Sequence, residues 1–204
     1  VTLADDIHVI LLGAGFSARM GGTDKRLLDL HGEPLLRRSA RLYLGCGWPV
    51  SVVLRDPDPL ARVALDGLDV AVIVNPDAAA GQQASVMAGL AAAPLDAMAE
   101  GAGVLIALAD QPLLTRADLA DLAAARPPGM ACVPRHQGRR GNPVILPTGV
   151  ARRLRDAGTP PRAWLDANPA SVAWFEAAND HFTRDLDTPE QAALLLARAE
   201  PMPD

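Results

Sequence analysis

Short apolar runs rich in β-branched residues alternate along this chain with Ala-, Leu- and Arg-rich stretches of helical length. The first run, "HVILL" (8–12), is continuously apolar, which predicts a strand buried on both faces. A helix follows at "PLLRRSARLYL" (34–44), with Pro34 near its start and Gly45 closing it. "VSVVLR" (50–55), "VAVIVN" (70–75) and "GVLIALAD" (103–110) read as three further strands. Between and after them, "DPLARVAL" (58–65), "GQQASVMAGLAAA" (81–93) and "TRADLADLAAAR" read as helices, the last with Thr115 as N-cap and Asp118 three residues on. Strand and helix in strict alternation imply an open, mostly parallel sheet with right-handed crossovers and helices on both faces.

The alternation then changes. "MACVPRHQGRRGNPVIL" (130–146) reads as two strands joined by a basic, Gly-containing turn, a small antiparallel extension of the sheet. "PTGVARRLRDAG" is a helix, "SVAWFEA" (171–177) a strand, and "TPEQAALLLARAE" a final helix with Thr188 as N-cap and Pro189 at its first position. Pro and Gly are spread over the connections and no repeat or linker interrupts the 204 residues, so one domain is expected.

Composition narrows the class. Half of the residues are hydrophobic but only 3% are aromatic, a mix that suits Val-rich parallel strands under Ala/Leu helices better than a sandwich. A formal charge of −5 argues against a nucleic-acid partner. Cys46 and Cys132 have no metal or disulfide spacing and read as free thiols. No apolar run is long enough for a membrane span, and the acidic "VTLADDIHV" lacks a signal-peptide pattern, so a cytoplasmic location is expected.

The chemistry concentrates in "GAGFSARMGGTDK" (13–25), which leaves the carboxyl end of the first strand, where open parallel sheets bind ligands. Gly13, Gly15 and Ala18 match a dinucleotide fingerprint, and Arg55 at the end of the second strand could serve NADP. Against that reading, Gly21 and Gly22 interrupt the helix on whose N-terminus a dinucleotide pyrophosphate would rest. A triphosphate explains more of the residues. Arg19 and Lys25 add cations to a loop of backbone donors, as stabilising a pyrophosphate leaving group requires. It is not a Walker loop, since no G-x-x-x-x-G-K-[S/T] string occurs.

Five segments in order resemble a known family, the molybdopterin nucleotidyltransferases. "LGAGFSARMGGTDK" resembles their signature L-A-A/G-G-x-S-x-R-M-G-x-x-K. "NPDAAAGQQASVMAGL", "ALADQPLL", "GNPVIL" and "DLDTPEQ" resemble the family's later motifs. Two positions depart from the pattern: Gly13 stands where alanine is usual, and Phe16 where relatives are often polar or basic. The resemblance implies a Rossmann-like fold of the nucleotide-diphospho-sugar-transferase type. It implies transfer of NMP from an NTP to a phosphorylated acceptor, with molybdopterin the leading candidate and a molybdenum enzyme a possible partner. CTP is favoured as donor because cytidylyl members carry the equivalent of Ala14 where guanylyl members carry glycine; "MGGTDK", in contrast, is guanylyl-like.

Candidate roles follow. Arg19 and Lys25 are the catalytic cations. The resemblance implies nucleotide contacts from Leu12, Gly13, Ala14, Gly15 and Ser17 and from Asn75, Gly81, Ser85 and Gly89. Asp110, ending an apolar strand at the same sheet edge, is a candidate ligand for Mg²⁺, with Mn²⁺ an alternative. Asp187 is the second ligand by resemblance, in competition with a helix-start role, and Asp185 the fallback. The basic turn offers Arg135, Arg139 and Arg140, with Asn142 beside it, to an anionic acceptor. Trp174 is a candidate for lining the same site. Two other classes stay open: an NAD(P)-dependent oxidoreductase and a non-catalytic nucleotide-binding chaperone.

Overall fold

The computed structural model describes residues 6–17 and 23–196. Arg19, Ala18, Gly21 and Gly22 lie outside the described residues. The expected α/β architecture is present. Strands β1 (Ile7–Leu12), β2 (Val50–Arg55), β3 (Val70–Asn75) and β4 (Gly103–Leu108) run parallel in the order β3-β2-β1-β4. Helices α1 (Leu35–Gly45), α2 (Pro59–Ala64) and α3 (Gln82–Ala92) make the crossovers, and α4 (Arg116–Ala124) leaves β4 under the expected Thr115–Asp118 capping box.

The second half is more elaborate than two strands and a turn. Three strands occupy the basic segment: β5 (Ala131–His136), β6 (Arg139–Arg140) and β7 (Val144–Pro147). β7 inserts antiparallel between β4 and β5, and β8 (Val172–Glu176) adds parallel to the far side of β5. Helix α5 (Thr148–Ala157) was expected; α6 (Pro161–Ala167) was not, and its start at the second of two consecutive prolines is the signal that marks it. Helix α7 (Pro189–Leu196) closes the described chain.

Strand periodicity divides the core. Val9 and Leu11 pack with Leu36, Ala40 and Tyr43 of α1 and Leu119 and Leu122 of α4. Ile10 and Leu12 point the other way, onto Val86 and Leu90 of α3 and toward Val150 and Leu154 of α5. Gly89 is the contact point of that second layer: a Cβ there would collide with Ile10 Cγ2, so only glycine lets α3 lie this close to the sheet. Among the described residues no helix is long and apolar enough to cross a membrane. Cys46 and Cys132 are buried, and burial pushes both thiols up to about 11.

Candidate active site

The parallel register brings Leu12, Arg55, Asn75 and Leu108 to one edge of the sheet. A cavity of about 390 Å³ opens there. Leu12, Ala14, Gly15, Phe16 and Ser17 form one wall, and Gly81, Gln82 and Ser85 at the start of α3 form another. Gly81 joins β3 to α3 at φ 101°, a conformation that side-chain-bearing residues avoid. Ser17 also has positive φ, and its Oγ accepts from Lys25 N at 3.0 Å, which folds the loop back onto the Lys25–Leu27 turn.

The cavity floor is charged. Lys25 Nζ donates to Asp110 and, at 3.2 Å, to Asp187 Oδ1. Burial works against the lysine's charge, yet Asp110 and then Asp187 hold its pKa above the ordinary value. Asp185 joins them along the same wall, its carboxylate accepting from Gln111 Nε2 at 3.1 Å. Burial, and then the Asp110 charge, raise its pKa. The segment is tied to the end of β4 by Leu186 N donating to Asp110 O at 2.8 Å. The helix-start work at α7 falls to its neighbours: Gln191 Oε1 accepts from Asp187 N and Thr188 N, while the Asp187 carboxylate accepts from Lys25.

These acids suit a hard divalent cation. Asp110 Oδ1 is buried and has no hydrogen-bond partner among the described residues, a costly state that an added cation would relieve. Two carboxylates completed by phosphate oxygens and water are the usual Mg²⁺ environment, so a larger protein cage is not required. Among the described residues no group of three or more acidic, His or Cys side chains is arranged to hold a metal alone.

A second cavity, of about 530 Å³, shares Gln82, Leu108 and Asp185 with the first. Arg140, Asn142, Arg162 of α6 and Gln83 of α3 contribute its polar side chains away from that junction. Arg140 is steadied by Asp166 Oδ1 at 3.0 Å, and Asn142 by its backbone N donating to Phe182 O at 2.9 Å.

Not every expected residue reaches a cavity. Gly13 donates to Val53 O behind the wall, and Gly89 packs on Ile10. Asn75 is buried, with Nδ2 donating to Ser85 Oγ at 3.0 Å and Oδ1 accepting from Asp77 N, so it positions Ser85 and has no group turned to the cavity. Arg135 is drawn to the far side of β5 by Glu176 and the Trp174 ring, 5.2 Å from its guanidinium, which takes both Arg135 and Trp174 out of the cavity. Arg139 is exposed at the hairpin and lines neither cavity. Conversely, Gln82, Leu108 and Arg162 line the site without having been singled out; Arg162 was hidden with its helix.

A family profile described as "MobA-like NTP transferase domain" matches residues 9–172. The chain belongs to that family. One MobA-like relative, a molybdenum cofactor guanylyltransferase from Cereibacter sphaeroides, is 34% identical over 201 residues, covering 94% of each protein. Two solved structures share the fold at TM-score 0.77. One, from Mycobacterium sp. strain JC1, is the homolog of a Mycobacterium tuberculosis protein and is 25% identical over 94% of this chain and 95% of that one. The other, a nucleotidyl transferase from Methanothermobacter, is 20% identical over 94% and 96%. As a MobA-like protein, this chain is a nucleotidyltransferase of the nucleotide-diphospho-sugar-transferase type of fold.

Proposed function

We propose that this nucleotidyltransferase moves GMP from GTP to a phosphorylated acceptor, molybdopterin, and releases pyrophosphate. The observation that carries the reading is the junction of the two cavities at Asp185, beside the Lys25–Asp110–Asp187 cluster. A donor in the first cavity and an acceptor in the second would meet there.

In this reading the Ala14–Ser17 backbone and Lys25 hold the triphosphate, while Gly81 and Ser85 border the nucleoside. Arg140, Asn142 and Arg162 hold the acceptor phosphate. An acceptor phosphate oxygen displaces pyrophosphate in line at the α-phosphorus, forming one P–O bond as another breaks. That oxygen is already anionic at neutral pH, so no general base is required. Lys25 stabilises the negative charge left on pyrophosphate. Asp110 and Asp187 would hold Mg²⁺ or Mn²⁺, which when bound neutralises triphosphate charge. Arg19 is kept as the second catalytic cation.

Guanine is supported by the guanylyltransferase relative and by the "MGGTDK" string. A cytidylyl reading has one observation in its favour: Ala14 lines the donor cavity, and its methyl takes room that glycine would leave to a purine. Pyrophosphate release from GTP and from CTP, with Mg²⁺ and molybdopterin, tests both. Faster release with GTP is expected. Faster release with CTP would reverse the base, and absence of release with either would remove the transferase reading.

A further inference from the structure

We propose that Arg26 and Arg55 are positioning residues that make the glycine loop a phosphate cradle, by holding two of its carbonyl oxygens away from the donor cavity. The proposal rests on the donor reading above and adds the device that aims the donors.

Arg26 is only 2% exposed. A charge buried so deeply needs partners for all its donors. Its Nε donates to Asp24 Oδ1 at 2.9 Å, its Nη2 to Asp58 Oδ1 at 3.2 Å, and its Nη1 to both Asp58 and the carbonyl of Gly13. Arg55 repeats the arrangement two residues along the loop. Its Nη1 donates to the carbonyl of Gly15 at 2.8 Å and its Nη2 to Asp24 Oδ2 at 2.8 Å. Asp24 thus joins the two arginines, and two cations face two anions.

The consequence follows from peptide geometry. The carbonyl of one residue and the N–H of the next point in opposite directions across a trans peptide plane, and neither Gly13–Ala14 nor Gly15–Phe16 is cis. Turning Gly13 O to Arg26 therefore turns Ala14 N–H away from it, and turning Gly15 O to Arg55 does the same for Phe16 N–H. Ala14, Gly15 and Phe16 line the cavity; Arg26 and Arg55 do not. Neither of the two N–H groups donates to another described residue, so both await an acceptor. Gly13 and Gly15 would otherwise let these peptide planes rotate freely. Donors fixed before the ligand arrives need no reorganisation when it binds.

The arrangement also accounts for Phe16. Phe16 is 57% exposed, and its ring centroid lies 5.1 Å from the Arg55 guanidinium, a cation–π contact that adds to the arginine's hold on the loop.

The test uses Arg55→Ala, because Arg55 is partly exposed and Arg26 remains to pair both aspartates. Calorimetry with Mg²⁺ compares whichever of GTP and CTP binds more tightly with its unphosphorylated nucleoside. Triphosphate affinity is expected to fall about tenfold, or ~1.4 kcal/mol, with nucleoside affinity unchanged. The wild-type-to-variant ratio should persist from about 0.05 to about 0.5 M salt, since through-space charge is screened there and backbone geometry is not. Equal losses for triphosphate and nucleoside, no loss for either, or a ratio that vanishes at high salt would each overturn the clamp. Arg26→Lys keeps the charge without the fork and is expected to show the same selective loss; if it does not fold, the Arg55 arm decides. A wild-type protein that binds no triphosphate would remove the donor reading as well. A wild type that binds one as tightly as Arg55→Ala removes only the clamp.

Discussion

The two cavities meet at one aspartate but are built by different means. The donor cavity is built at strand ends: β1 and β4 are in parallel register from Ile7 to Leu12, so the loop after Leu12 and the acid after β4 must emerge side by side. The acceptor cavity also borders α3 and β4, through Gln83, Val86 and Ile106, but its Arg140, Asn142 and Arg162 come from a two-residue strand, a turn and a seven-residue helix. A site held by the sheet has its place fixed wherever the sheet forms, and only the aim of its loop donors is left to Arg26 and Arg55. One held by arginines depends on which neighbouring carboxylate each arginine finds.

Damage on the two sides should therefore have different kinetic signatures. The largest effect is expected from Asp110→Asn. It removes a charge from the Lys25–Asp110–Asp187 cluster while keeping the shape of the strand end. Turnover should fall about a thousandfold, or ~4 kcal/mol of transition-state stabilisation. The acceptor KM should change little. A steady-state titration of each substrate measures both, and a near-normal kcat in the Asp110→Asn enzyme would dissolve the distinction.

Arg140→Ala should act on the other side and by less. It removes one charge-assisted contact to the acceptor, so acceptor KM should rise about tenfold. The donor KM should stay within twofold. Equal changes in both constants would mean that the second cavity does not hold the acceptor.

The same division governs what could be read from the sequence. Strand ends were legible: a continuous apolar run stopping at a glycine loop or an aspartate locates a sheet edge without further information, and Ala14, Gly15, Ser17, Lys25, Asp110 and Asp187 all reach the donor cavity. Residues whose polar atoms are consumed internally were not. Asn75 has the chemistry of a base contact, but both ends of its amide are used by Ser85 and Asp77. Gly89 sits in a motif segment yet serves close packing against Ile10. The insertion of β7 between β4 and β5 was also hidden, because an apolar run does not state its direction in the sheet. Arg26 and Arg55 lacked any signal that a loop carbonyl would be their partner.

The basic hairpin gives the smallest effect and the most local form of the contrast. Arg135 and Arg140 are direct cross-strand partners, so both side chains start from the same face with like charges opposed. Two carboxylates separate them: Glu176, its own cross-strand partner in β8, takes Arg135, and Asp166 on α6 takes Arg140 toward the cavity. Arg139 pairs with His136 one step along and therefore starts from the opposite face. Arg139→Ala should accordingly leave the acceptor KM within twofold of wild type at moderate salt, although it removes the same charge one residue from Arg140. A loss comparable to that of Arg140→Ala would show that the acceptor responds to the summed charge of the hairpin, and the cavity wall would then not be what selects among its arginines.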